Sequence, residues 1–225
     1  MNLGGHKLAL KICGVTRSAE LLQLDRAGVD YAGLWCGMSG ASRSLSMPAL
    51  RELLSVKLHH VRRILVTIHS DIDRVVEAAR APGVAGVQLQ GFELPQHVKE
   101  IKRRLGSERL LLKVLHVQEG RCLEMPLLAA YATCGADGFI VDSFASRAQP
   151  GSTGIPLSHT VLAAVAAPLG RARVFAAGGV TASDIAPLAR LGLGGVDVDG
   201  AARRHDSLDA ERVGALTASV KAVHR

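Results

Sequence analysis

Leu8-Ala9-Leu10-Lys11-Ile12-Cys13-Gly14-Val15-Thr16 decides between two architectures. An apolar strand here runs into a turn with a single glycine. An open, doubly wound sheet usually announces a Gly-x-Gly-x-x-Gly run after its first strand, and Cys13-Gly14-Val15-Thr16 carries none. Strand parity adds a second constraint, because side chains alternate between the two faces. With Leu8, Leu10 and Ile12 turned to covering helices, Ala9, Lys11 and Cys13 face the opposite side. An ammonium in such a core must find a partner or shift its pKa.

Downstream, strand and helix patterns alternate at regular spacing. After Leu8–Cys13 comes a helix near Arg17–Ala27, ended by Gly28, which suits the left-handed residue that closes a helix. Strand Tyr31–Cys36 precedes a helix from Pro48, and strand Val61–Ile68 precedes one with Ser70 at its N-cap and Asp73 three residues on. Gly86–Leu89 leads to Pro95–Leu105, Leu110–His116 to Leu123–Thr133, and Asp137–Asp142, through a long loop, to His159–Ala166. Ala172–Ala176 precedes a helix capped by Thr181, and Gly195–Asp199 precedes Leu208–Val223. Eight such units predict one α/β domain spanning residues 1–225, a (β/α)8 TIM barrel of eight parallel strands.

Composition agrees. The 225 residues are 48% hydrophobic and 21% charged, enough for one sizeable core and unlike a disordered chain. The longest apolar stretch, Val161–Leu169, has nine residues and contains Pro168, whereas a membrane span needs roughly 20. No secretory signal fits the first residues, and Cys13, Cys36, Cys122 and Cys134 form no CxxC pair, so a reducing cytoplasm is expected. The net charge of +7 is scattered in short runs, and aromatics are only 3%, which argues against nucleic acid and fits an anionic small molecule. No Cys, His or carboxylate spacing matches a metal motif.

Barrel chemistry sits at the C-terminal ends of the strands. Parity sends Lys11 and Cys13 inward from strand one, Asp142 from strand six, and Asp197 and Asp199 from strand eight, with Lys113 placed inward from strand five. Lys11 and Asp197 read equally as a structural ion pair or as part of a site. Cys13 and Asp142 lie at the rim on nearly opposite sides, where a thiol and a carboxylate can act as base and acid. Lys11 would tilt the thiol towards thiolate. His69 and His116 are further candidates for the pocket wall.

Lys11-Ile12-Cys13-Gly14-Val15-Thr16-Arg17 resembles the opening motif of the phosphoribosylanthranilate isomerases, tryptophan-pathway (β/α)8 barrels. The likeness continues through Ser42-Arg43-Ser44-Leu45-Ser46, Val87-Gln88-Leu89-Gln90-Gly91-Phe92-Glu93, Asp142-Ser143 with Gly151-Ser152-Thr153-Gly154, Ala177-Gly178-Gly179-Val180 and Gly195-Val196-Asp197-Val198. The resemblance implies an Amadori rearrangement of N-(5′-phosphoribosyl)anthranilate that needs no metal or organic cofactor. Cys13 would be the general base at C2′, Asp142 the general acid on the ribose ring oxygen, and Arg43 the partner of the anthranilate carboxylate. Gln90, Lys11 and Asp197 would contact substrate, and Gly178, Gly179, Gly200 and Ala201 would hold its phosphate. Members of the family occur as monomers and homodimers.

Three positions depart from the family pattern. Asp199-Gly200-Ala201 stands where the family usually reads Ser-Ser-Gly, Gln90 replaces a histidine, and Ile155-Pro156-Leu157-Ser158-His159 replaces Lys-Thr-Phe-Asp-Trp. A carboxylate at 199 would repel a phosphate unless it turns away to cap the helix while Arg203 or Arg204 compensates. A relative that keeps the Cys13/Asp142 pair for another, even unphosphorylated, substrate is the alternative reading. A ligand-binding barrel without catalysis and a Schiff-base aldolase using Lys113 are the remaining ones.

Overall fold

In the computed structural model, which describes residues 7–38, 41–69, 71–144 and 154–224, the apolar runs become eight parallel strands. They are β1 (Ala9–Ile12), β2 (Tyr31–Trp35), β3 (Arg62–Thr67), β4 (Val84–Leu89), β5 (Leu110–Gln118), β6 (Gly138–Ser143), β7 (Val174–Ala176) and β8 (Gly195–Val198). The sheet order is β4-β3-β2-β1-β8-β7-β6-β5, and pairing of β4 with β5 closes the ring. Ala9 to Ile12 run in register with Gly195 to Val198, so the first and last strands share one seam. The chain is a (β/α)8 barrel, as its first turn predicts.

Three apolar layers hold it. Leu10, Ile12, Leu34, Leu65, Val87, Leu111, Val141, Val196 and Val198 pack outward against the helices. Inside, Ala9, Tyr31, Ile64, Leu112, Val114, Ile140, Phe175 and Ala177 fill the barrel, and Cys13, Trp35, Met38 and Val66 form a smaller layer at its C-terminal mouth. Leu112 and Val114 fix the parity of β5 and correct one expectation. Lys113 lies between them and so points out of the barrel, where Gly91 O accepts from its Nζ at 2.6 Å and Glu93 lies 3.4 Å away. It is a buried structural ammonium and has no access to the barrel interior, which removes the aldolase reading.

The helices are α1 (Ser18–Ala27), α2 (Met47–Ser55), α3 (Ile72–Ala79), α4 (Pro95–Leu105), α5 (Leu128–Thr133), α6 (His159–Leu169), α7 (Ile185–Arg190) and α8 (Ala210–Ala222). Gly28 closes α1 at φ 79°, and Pro95 opens α4, both where the sequence places them. Asp71 caps α3, accepting from the amides of Asp73 and Arg74; Ser70, the expected cap, lies outside the described residues. Thr181 and Asp184 bond to each other ahead of α7, at 2.8 Å through the Thr181 amide.

Two boundaries moved for tertiary reasons. β5 overruns its expected end at His116 and folds back through Glu119-Gly120 to pair with Arg121–Cys122. That return uses up the first turn of the expected next helix, leaving a 3-10 turn at Met125–Leu127 before α5. Among the described residues no helix is long and apolar enough to cross a membrane.

Candidate active site

A cavity of about 430 Å³ opens at the C-terminal ends of the strands. Cys13, Arg43, Gln90, Asp142, Gly178, Gly179, Asp197, Gly200 and Ala201 all line it, so nine of the residues singled out from sequence meet in one place. Lys11 is the exception. It is fully buried below the floor and reaches the cavity only through its neighbours, which corrects its expected contact with substrate. The loop 151–153 lies outside the described residues.

Lys11 Nζ donates to Asp197 Oδ2 at 2.7 Å and to Cys13 Sγ at 3.2 Å. Burial disfavours its charge, but Asp197 and Cys13 outweigh that and raise its pKa. Burial likewise pushes the Asp197 carboxyl up, against the pull of Lys11. Trp35 Nε1 also donates to Cys13 Sγ, at 3.0 Å, so two N–H groups converge on one sulfur. Even so, burial dominates and carries the thiol to about 11. The expected tilt towards thiolate is therefore corrected: Lys11 does lower the value, but desolvation raises it by more, and the thiol rests protonated.

Asp142 sits across the cavity. Burial, helped by the nearby Asp197 charge, lifts its carboxyl to about 7, while the Ser143 amide, Lys11 and Gln90 oppose the rise. Gln88 Nε2 donates to Gln90 Oε1 at 2.8 Å, which leaves the Gln90 amide N–H to bond Asp142. Gln90 thus positions the carboxyl without titrating itself.

Gln90 is held in turn from β5, by a contact that no local pattern announces. His116 Nε2 donates to the Gln90 carbonyl at 3.1 Å, and its Nδ1 lies 2.6 Å from Glu124 Oε1. His116 is enclosed by Phe92 and Phe144 and does not line the cavity; His69, on the exposed loop after β3, does not either.

Asp199 shows how the family departure is accommodated. Its Oδ2 lies 2.5 Å from Arg43 Nη2, and its Oδ1 accepts from Arg203 Nε at 2.9 Å. It makes no side-chain cap on the short turn Gly200–Ala202, contrary to the expected helix cap. Arg203 is buried and rigid, donating to Cys13 O at 2.9 Å and Gly14 O at 2.6 Å. Arg43 stacks on Trp35 at 4.9 Å and passes so close to Gly14 that a Cβ there would meet Nε at 2.7 Å. Arg203 thus supplies the compensation expected of Arg203 or Arg204, whereas Trp35 was missed from sequence; inward parity at the end of β2 was its available signal.

Gly33 explains how Lys11 and Cys13 share the interior. A Cβ on it would lie 2.6 Å from Cys13 Sγ and 3.1 Å from Lys11 Nζ. Gly33→Ala is expected to destabilise the protein by about 1–3 kcal/mol, as overpacking typically does, and to displace the sulfur. A thermal melt matching wild type would show that the sulfur has slack.

Among the described residues no three His, Cys, Asp or Glu side chains gather as a metal-holding group. The floor instead offers bare acceptors: Asp197 Oδ1 and Gln88 Oε1 are buried with no partner among the described residues.

The family profile described as "PRAI: N-(5'phosphoribosyl)anthranilate (PRA) isomerase" matches residues 10–215. An N-(5'-phosphoribosyl)anthranilate isomerase of Thermosynechococcus vestitus is 26% identical over 216 residues, covering 95% of this chain and 90% of the relative. One from Parvibaculum lavamentivorans is 32% identical over 161 residues, 68% of this chain and 71% of its own. The crystal structure of phosphoribosyl anthranilate isomerase from Thermus thermophilus superposes with a TM-score of 0.75 at 23% identity, covering 96% of this chain and 99% of that one. A profile that spans the barrel from its first strand into its last helix settles the kinship: the chain belongs to the N-(5'-phosphoribosyl)anthranilate isomerase family, whose members are intramolecular isomerases of the aldose–ketose type.

Proposed function

We propose that this barrel catalyses the Amadori rearrangement of N-(5′-phosphoribosyl)anthranilate with Asp142 as general acid and Cys13 as general base. The observation that carries the reading is that both groups open on the same cavity, with the carboxyl held near neutrality at about 7. Asp142 protonates the ribose ring oxygen, the C1′–O bond breaks, and the nitrogen lone pair forms an iminium. Cys13 thiolate then takes the C2′ proton, and the C–H electrons form the C1′=C2′ bond of an enolamine, neutralising the nitrogen. Tautomerisation, with a proton returned to C1′, gives the 2-ketone. Proton transfers of this kind contribute about 10²–10⁴-fold each.

The remaining wall supports the binding half of the reading. Arg43 suits a planar carboxylate, the unpartnered Asp197 Oδ1 and Gln88 Oε1 suit sugar hydroxyls, and Gln90 orients the acid. Lys11 and Asp197 act on Cys13 from below. The backbone at Gly178, Gly179, Gly200 and Ala201 is the candidate phosphate cradle; a side chain at Gly179 would strike Gly154 O, so the chain approaches closely there.

Asp199 favours a second reading, a related substrate without a phosphate, because its carboxylate shares the cavity wall with that cradle. Incubation with phosphoribosylanthranilate generated in situ separates the two. Loss of its fluorescence at a rate proportional to enzyme is the expected result, and no turnover moves the assignment to the second substrate class.

A further inference from the structure

Among the described residues, Arg43 is the only cationic side chain lining the cavity, and it is already engaged by a carboxylate of the same wall. The pair is asymmetric. Asp199 has a second, rigid cation in Arg203, whose side chain is 2% exposed and fixed by two backbone carbonyls and Glu20. Arg43 is 18% exposed, rests on the Trp35 ring, and leaves its Nε buried with no partner among the described residues. Its other carboxylate neighbour, Asp206, is 94% exposed and 3.8 Å away. An arginine with one N–H unsatisfied, and its fork held by a carboxylate that has a second cation of its own, is a site prepared for exchange.

We propose that Asp199 is a resident counter-ion of Arg43, traded for the carboxylate of an aromatic acid when ligand enters. Asp199 stays on Arg203, and the incoming carboxylate takes the released fork of Arg43 beside the Trp35 ring. The empty cavity thus never holds a bare guanidinium, and with ligand bound each arginine keeps a carboxylate of its own. It also selects: a neutral aromatic ring has nothing to offer Arg43, and an anionic one gains only the difference between two carboxylates. This proposal rests on reading the cavity as one that takes an aromatic acid.

Benzoate is the probe, and Trp35, the single tryptophan of the chain, is the reporter through its fluorescence. Asp199→Asn removes the competing charge and keeps the shape; Asp199→Ser is the second variant should the first fail to give a native melt. Either variant is expected to bind benzoate at least about tenfold more tightly than wild type, the scale of one charged hydrogen bond. Arg43→Ala should abolish binding in both backgrounds. Equal or weaker binding by the Asp199 variants, or tight binding that survives Arg43→Ala, would overturn the counter-ion role alone. Benzoate binding to none of the proteins would overturn the aromatic-acid reading together with it.

Discussion

Cys13→Ala is expected to lower kcat/KM for phosphoribosylanthranilate by about 10²–10⁴-fold, and Asp142→Asn by a similar factor, in proteins that remain folded. The pH dependence makes the assignment sharper. The acid, at about 7, has the lower pKa, and the base, at about 11, the higher. The reactive form pairs protonated Asp142 with Cys13 thiolate, so between those values it is a constant minority of about 10⁻⁴ of the enzyme. kcat/KM should therefore rise through pH 7, run flat, and fall only near 11. Asp142→Asn should remove the bend near 7 from the residual activity, which then keeps climbing with the thiolate toward 11. A wild-type profile that falls between pH 7 and 9 would overturn the assignment.

The same carboxyl has a stability consequence of definite sign. A carboxyl raised from 3.8 to about 7 favours the folded state when protonated; that advantage is complete below pH 3.8 and is lost as pH rises through 7. At about 1.4 kcal/mol per pH unit, ionised Asp142 costs up to roughly 4 kcal/mol above pH 7. Asp142→Asn should thus be the more stable protein at pH 8 and show no such gain at pH 3.5. Chemical denaturation at the two pH values checks both halves.

Lys11→Met is expected to destabilise the barrel by about 3–5 kcal/mol, because it strands a buried carboxylate. Asp197 would lose its 2.7 Å partner, keep one oxygen already unpartnered, and sit beside Asp142 and Asp199 with no compensating charge. Cys13 would lose its Lys11 donor too, moving the thiol further from the ionised state and lowering kcat/KM. Adding Asp197→Leu should recover most of the stability, since replacing both members of a buried pair by apolar groups is often nearly neutral, while activity stays lost. An unfolding free energy for Lys11→Met, measured in urea, within about 1 kcal/mol of wild type would mean that the pair contributes little.

Where local pattern decides the outcome, the sequence is a good guide. Parity alone assigned Lys11, Cys13, Asp142 and Asp197 to the interior, because period-two alternation against an apolar partner face admits one solution. It failed at Lys113, where Leu110-Leu111-Leu112 is apolar on both faces and the pattern has no phase to read. Thiol chemistry was misjudged because charge neighbours are visible in a sequence and desolvation is not. The Asp199–Arg43 pair, 156 residues apart, and the His116–Gln90 bond are products of ring closure that no local window contains.

The seam between β1 and β8 also bears on how the molecule is made. Lys11 is synthesised 186 residues ahead of Asp197. Until the eighth unit arrives, the growing chain holds an unneutralised ammonium and two open sheet borders, which template unwanted pairing. Loop closure over such a separation is slow. Ribosome-bound fragments ending before Gly195 should accordingly remain protease-sensitive and chaperone-dependent, and the lock should engage only once β8 has emerged.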